Sequence, residues 1–126
     1  MLKLKRSAYL HKDCVCLEYR FYKEEEYLRI YELWKIFPSL SQEEIGEIFK
    51  EVRKKFSIPE CRYWSINNLP SDIEVEVEKD KEKIKEVHKK IMCLFKEFIQ
   101  NLEKKEKERS LGNWLWKEKT FKIKEV

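Results

Sequence analysis

The sequence holds two glycines and three prolines in 126 residues. With so few glycines it offers neither a Walker A loop nor a dinucleotide fingerprint, since both need glycine where the backbone approaches a phosphate. The two histidines, His11 and His88, lie far apart, and the four cysteines include no Cys-x-x-Cys pair, so the usual zinc spacings are missing. No apolar run reaches the roughly 18 residues that a membrane-spanning helix needs. The start, Met1 to Arg6, is basic but is not followed by an apolar signal-peptide stretch. The expected location is therefore intracellular, with no membrane partner.

Charge is what the chain has in plenty: 41% of residues are charged, 42% hydrophobic and 13% aromatic. The length suits one domain over 1–126, able to bury roughly 65% of the surface of its unfolded chain. Aromatic and aliphatic residues are spread along the whole chain, which argues against disorder. Lysine and glutamate in near balance, with few glycines, resemble the composition of hyperthermophile proteins, in which surface ion-pair networks gain weight with temperature. Compact proteins of heat-loving archaea and their viruses have this look. The net charge of +4 is unevenly placed: residues 1–78 carry 13 Lys/Arg against 15 Asp/Glu, whereas residues 79–109 carry 11 against 7. The positive excess falls on one segment and hints at an anionic partner.

That segment, 79–109, predicts a long helix. Ile84, Val87, His88, Ile91, Leu94, Phe95, Phe98 and Leu102 recur at spacings of three and four, which stacks them on one side. Asp80 is placed to cap its start and Gly112 to end it, with a break over 110–113. Its roughly 30 residues would span about 45 Å. Ahead of it, 2–10 and 14–22 alternate and predict two strands joined as a hairpin near His11–Asp13, with Val15, Leu17, Tyr19 and Phe21 on one face. Residues 24–37 predict a helix apolar on several sides, ended by Pro38. Ser41-Gln42-Glu43-Glu44 is a capping box opening a second helix to about Ser57, and the two would form an αα-hairpin. The opening Leu40 to Gly46 also resembles the first helix of helix-turn-helix modules. No glycine-containing turn and recognition helix follow, however, so the structural hairpin is preferred. Short strands over 61–66 and 73–78 flank an Asn67–Asp72 loop, and 114–126 returns to β-like patterning. The order ββααββαβ predicts α+β: an antiparallel sheet of four to five strands covered by the αα-hairpin and the long helix.

Few residues suggest chemistry. Cys14 and Cys16 share one strand face, but a zinc site there would need Cys61 plus a histidine or Cys93 brought from afar, so Cys14, Cys16 and Cys61 are weak metal candidates. A Cys16–Cys61 disulfide is the alternative pairing, of the kind known inside hyperthermophiles; otherwise the cysteines stay free. His88, within the apolar stripe, reads as a hydrogen-bonded core residue. Glu74, Glu76 and Glu78 read as a solvated strand face. No catalytic residue and no cofactor is assigned. The first functional expectation is a small binding protein without catalytic activity, acting on a protein partner or on itself, because the apolar surface exceeds what a chain this size needs. The second is a nucleic-acid-binding module, with Lys85, Lys89, Lys96 and Lys107 along one helix flank and Arg53 and Lys54 as further basic spots.

Overall fold

The computed structural model describes residues 2–56, 58, 61–62, 65–66 and 69–117, with side chains for 2–56, 58 and 69–112. Lys12 and Glu24 hold positive φ angles of 54° and 57°, and each closes a two-residue hairpin turn of the kind that matches strand twist. The first joins β1 (Leu2–His11) to β2 (Cys14–Lys23), and the second joins β2 to β3 (Glu26–Leu28). After a helical stretch over residues 30–55 come the short β4 (Cys61–Arg62), β5 (Ser65–Ile66) and β6 (Leu69–Pro70), then β7 (Ile73–Glu78). The main sheet is antiparallel with order β1-β2-β7-β4, β3 pairing with β2 beyond the stretch that β7 occupies; β5 and β6 form a separate pair.

The chain is α+β, with its helices on one face of this sheet. Leu17, Tyr19, Phe21, Ile73, Val75 and Val77 are buried on that face, as the period-two pattern of β2 and β7 predicts. Helix α1 (Gln42–Lys55) opens on the expected capping box: Ser41 Oγ accepts from Glu44 N at 3.1 Å, and Glu44 Oε1 accepts from Ser41 N at 3.3 Å. Helix α2 (Lys81–Lys117) is capped by Asp80 Oδ1, which accepts from Glu82 N at 2.9 Å. The two helices run antiparallel, because Lys55 pairs with Glu97 while Glu44 receives both arms of Arg109 at 3.2 and 2.5 Å. Between them Phe49 and Phe98 meet edge to face at 5.2 Å.

Three expectations need correction. Residues 24–37 are not an α-helix, so the αα-hairpin is absent. They form β3 and then a 3-10 helix over Ile30–Lys35. Glu24 takes the left-handed turn conformation, and Ile30 and Leu33, three apart, are the pair that the tighter three-residue repeat buries. Helix α2 does not break at 110–113 but runs to Lys117, about 55 Å in all. Gly112 ends nothing there because its φ is not positive, and a glycine that keeps helical angles only weakens a helix. Trp114 and Trp116 accordingly belong to α2; the strand expected beyond Lys117 lies outside the described residues, as do Asn67 and Asn68.

Candidate functional site

Strand β1 is an edge: it pairs with β2 on one side and with no strand among the described residues on the other. His11 and Cys14 flank a two-residue turn, and in such a hairpin the flanking pair exchanges both backbone hydrogen bonds. The alternation along the ladder then turns His11, Tyr9, Ser7, Lys5 and Lys3 toward β2. Leu10, Ala8, Arg6, Leu4 and Leu2 direct their N–H and C=O groups outward, ready to pair.

The same even-numbered residues put their side chains on the helix-covered face, yet α2 leaves most of that side of β1 uncovered. Phe95 of α2 sits over β2, 5.8 Å from the Tyr19 ring and 5.2 Å from the Phe21 ring. Leu17 is buried, while its neighbour on β1, Ala8, is exposed. Leu10 is 69% exposed, the highest value among the large apolar side chains of the described residues. Beside Leu2 and Leu4 this overhang becomes an open groove of about 490 Å³, floored by Phe21 and Phe95 and walled by Ile36, Met92 and Ile99, with Lys96 and Glu103 at its rim. A backbone edge without a strand partner among the described residues thus adjoins an apolar trough on the same face. Two further clefts carry charged side chains: one between the helices is lined by Glu43, Glu47, Glu51 and Lys105, and one at the end of β7 holds the Lys83–Glu78 ion pair at 2.7 Å.

Midway along β1 stands a polar cluster. Tyr19 OH lies 2.8 Å from His88 Nδ1, and Arg6 Nη1 lies 3.2 Å from Nε2. A guanidinium can only donate, so Nε2 accepts and the ring proton on Nδ1 goes to the Tyr19 oxygen. Burial, and then the Arg6 charge, hold the His88 pKa below the ordinary value. Burial likewise pushes the Tyr19 hydroxyl up to about 12, although Arg6 pulls the other way. His88 is thus the hydrogen-bonded residue that its place in the stripe suggests, and it draws Arg6 back toward α2.

The opposite sheet face carries the cysteine candidates. Cys16 Sγ stands with the carboxylates of Glu18 and Glu74, all within 4.8 Å of one another, instead of with Cys14. Ser7 Oγ donates to Glu18 at 3.3 Å, and Cys14 Sγ donates to the His11 carbonyl at 3.1 Å. Burial raises the Cys16 thiol pKa, against an opposing hydrogen bond from Tyr9. That favours the protonated thiol, the reverse of what metal ligation or nucleophilic attack requires. Cys14, Cys16 and Cys93 are free, so the Cys16–Cys61 disulfide is not formed. Cys16 aligns with Glu76 and Cys61 with Val75 on opposite sides of β7, which separates the two strands by about 10 Å, beyond disulfide reach. The Cys61 side chain lies outside the described residues.

Lys85, Lys89, Lys96 and Lys107 are exposed on α2, within about 40° of one another and along about 33 Å of its length. Arg53 and Lys54 do not join them. Arg53 is half-buried and has a partner within the fold. The Lys55–Glu97 bridge sets that end of α1 against a side of α2 roughly 100° round from the lysine row. The open edge and its groove were missed by pattern reading. The one available signal was the even-numbered set Leu2, Leu4, Ala8 and Leu10, interrupted by Arg6 alone. Comparison with protein-family models, with characterised proteins and with solved structures gives no match for this chain.

Proposed function

We propose that this chain is a binding module that takes an extended polypeptide as an added strand along β1. The observation that carries the reading is the junction of the apolar groove beside Leu2 and Leu4 with the outer edge of the ten-residue β1, which has no strand partner among the described residues. In strand addition the main-chain hydrogen bonds supply affinity, and pockets for alternate side chains supply selectivity. Here the outward backbone groups of Leu4, Arg6, Ala8 and Leu10 give the first, and the trough under Met92 and Ile99 gives the second. The test is selection from a displayed library of random peptides against the protein immobilised at low density. Selected sequences should alternate apolar and polar residues, and their binding should be lost with Met92→Glu in a variant whose folding is verified by circular dichroism. Failure to select peptides, or binding indifferent to Met92→Glu, would overturn the reading.

The lysine row supports a second reading, a nucleic-acid partner held through its backbone. Four exposed lysines along about 33 Å of helix could follow a phosphate chain. Affinity for an oligonucleotide should then fall steeply with salt and disappear when Lys85, Lys89 and Lys96 are changed to Glu; absence of binding at low salt ends this reading.

A further inference from the structure

We infer that the strand docking on β1 is β1 of a second copy, paired antiparallel about a two-fold axis at Ser7. This rests on the strand-docking reading and names its occupant.

Two constraints select the register. The helix-covered face of one copy must continue into that of the other, so even-numbered residues must oppose even-numbered ones. Like charges must not stand directly opposite each other. With the axis at Ser7, Leu4 faces Leu10 of the second copy, Arg6 faces Ala8, Lys5 faces Tyr9 and Lys3 faces His11. No two cations oppose each other. Moving the axis to Arg6 sets two guanidiniums face to face, and moving it to Lys5 sets two ammoniums face to face. Moving it to Ala8 places Arg6 against Leu10 and leaves Leu4 opposite the turn residue Lys12. The strand is self-complementary because its charges, Lys3, Lys5 and Arg6, all lie on one side of Ser7.

The side chains fit the same register. Leu10, 69% exposed in the single chain, arrives over Leu4 at the groove of the other copy, beneath Met92 and Ile99. The pairing occurs twice, so it covers both exposed leucines and both grooves. A charge on the inward face of an edge normally blocks such pairing. Arg6 is instead tied back to His88 at 3.2 Å, and it meets alanine, the smallest side chain on the strand. On the other face Lys5 already rides over the Tyr22 ring at 4.3 Å, and the register brings the half-exposed Tyr9 beside it. The backbone groups that the hairpin leaves unpaired, on Leu4, Arg6, Ala8 and Leu10, are those that this register hydrogen-bonds.

Light scattering on the full chain should give twice the protomer mass of 15.6 kDa, and Leu10→Glu, at an exposed site that folding does not need, should give the protomer mass. Ser7 sits at a non-hydrogen-bonded pair, where Cα atoms lie about 4.5 Å apart. In a Cys93→Ser background, Ser7→Cys should therefore be driven by oxidised glutathione into a covalent dimer. Lys5→Cys, about 13 Å from its equivalent in the other copy, should not. A monomer at about 1 mM, a dimer indifferent to Leu10→Glu, or cross-linking by Lys5→Cys in place of Ser7→Cys would overturn the inference. A monomer that still selects alternating peptides through Met92 would remove the second copy alone; a monomer that selects none would remove the strand-docking reading as well.

Discussion

Replacing Phe98 by alanine tests whether the α1–α2 contact holds the scaffold on which β1 is displayed. Phe98 and Phe49 are both fully buried, with ring centroids 5.2 Å apart at 79°. Truncating a buried phenylalanine costs about 3–5 kcal/mol, the transfer loss plus the cavity left behind. The edge-to-face pair accounts for about 0.5–1.5 kcal/mol of that. A domain of this size has about 5–15 kcal/mol in total, so the variant should remain folded at room temperature with little margin. Each kcal/mol lowers the melting temperature by about 3–5 °C at this length, which puts the expected drop at about 10–25 °C. Guanidinium titration of wild type, Phe98→Ala, Phe49→Ala and the double variant gives the cycle, provided the slope with denaturant stays constant. The double variant should lose about 1 kcal/mol less than the sum of the singles. Losses below about 1.5 kcal/mol for either single, or strict additivity, would refute this packing.

Other expectations follow from the polar groups. The His88 pKa is depressed by burial and by Arg6, so the neutral ring is the form that folding favours. Its contribution is complete above the ordinary histidine value of about 6.5 and is lost as pH falls below it toward the lowered folded value. Urea midpoints at pH 7.5 and 5.5 should therefore differ more for wild type than for His88→Gln, and equal differences would contradict the network. Ser41→Ala removes the acceptor for Glu44 N and should cost about 1 kcal/mol, read by the same denaturation. In the native protein a thiol reagent followed by peptide mapping should label the exposed Cys93 at once and the buried, pKa-raised Cys16 only after unfolding; prompt labelling of Cys16 would contradict its burial.

What was legible in the sequence follows from where a single period dominates. The strict alternation of β2 and β7, the Ser41 capping box and the stripe from Ile84 to Leu102 each repeat one signal several times, and each lies where it was expected. Residues 24–37 misled because Leu28, Ile30, Leu33 and Phe37 are buried from several directions, so a helical period could be drawn through a strand and a 3-10 helix alike. The α2 terminus misled because glycine marks a helix end only when it takes a positive φ, which composition does not reveal. The lysine row was legible because helical spacing alone defines it. The groove was not: it depends on α2 lying over β2 while leaving β1 bare, a lateral offset that no local pattern encodes. The Cys16–Glu18–Glu74 cluster depends in the same way on the β2–β7 register, which sets Glu18 opposite Glu74.

Amide hydrogen exchange along β1 tests the strand-docking account most directly. The outward N–H groups of Leu4, Arg6, Ala8 and Leu10 have no strand partner in the isolated chain among the described residues. A paired edge should slow their exchange by about tenfold or more as protein concentration rises through the association range, while Lys5, Ser7 and Tyr9, already paired with β2, change little. Rapid exchange of the even-numbered amides at every concentration, with the odd-numbered ones protected, would leave the edge unpaired and contradict self-association through β1.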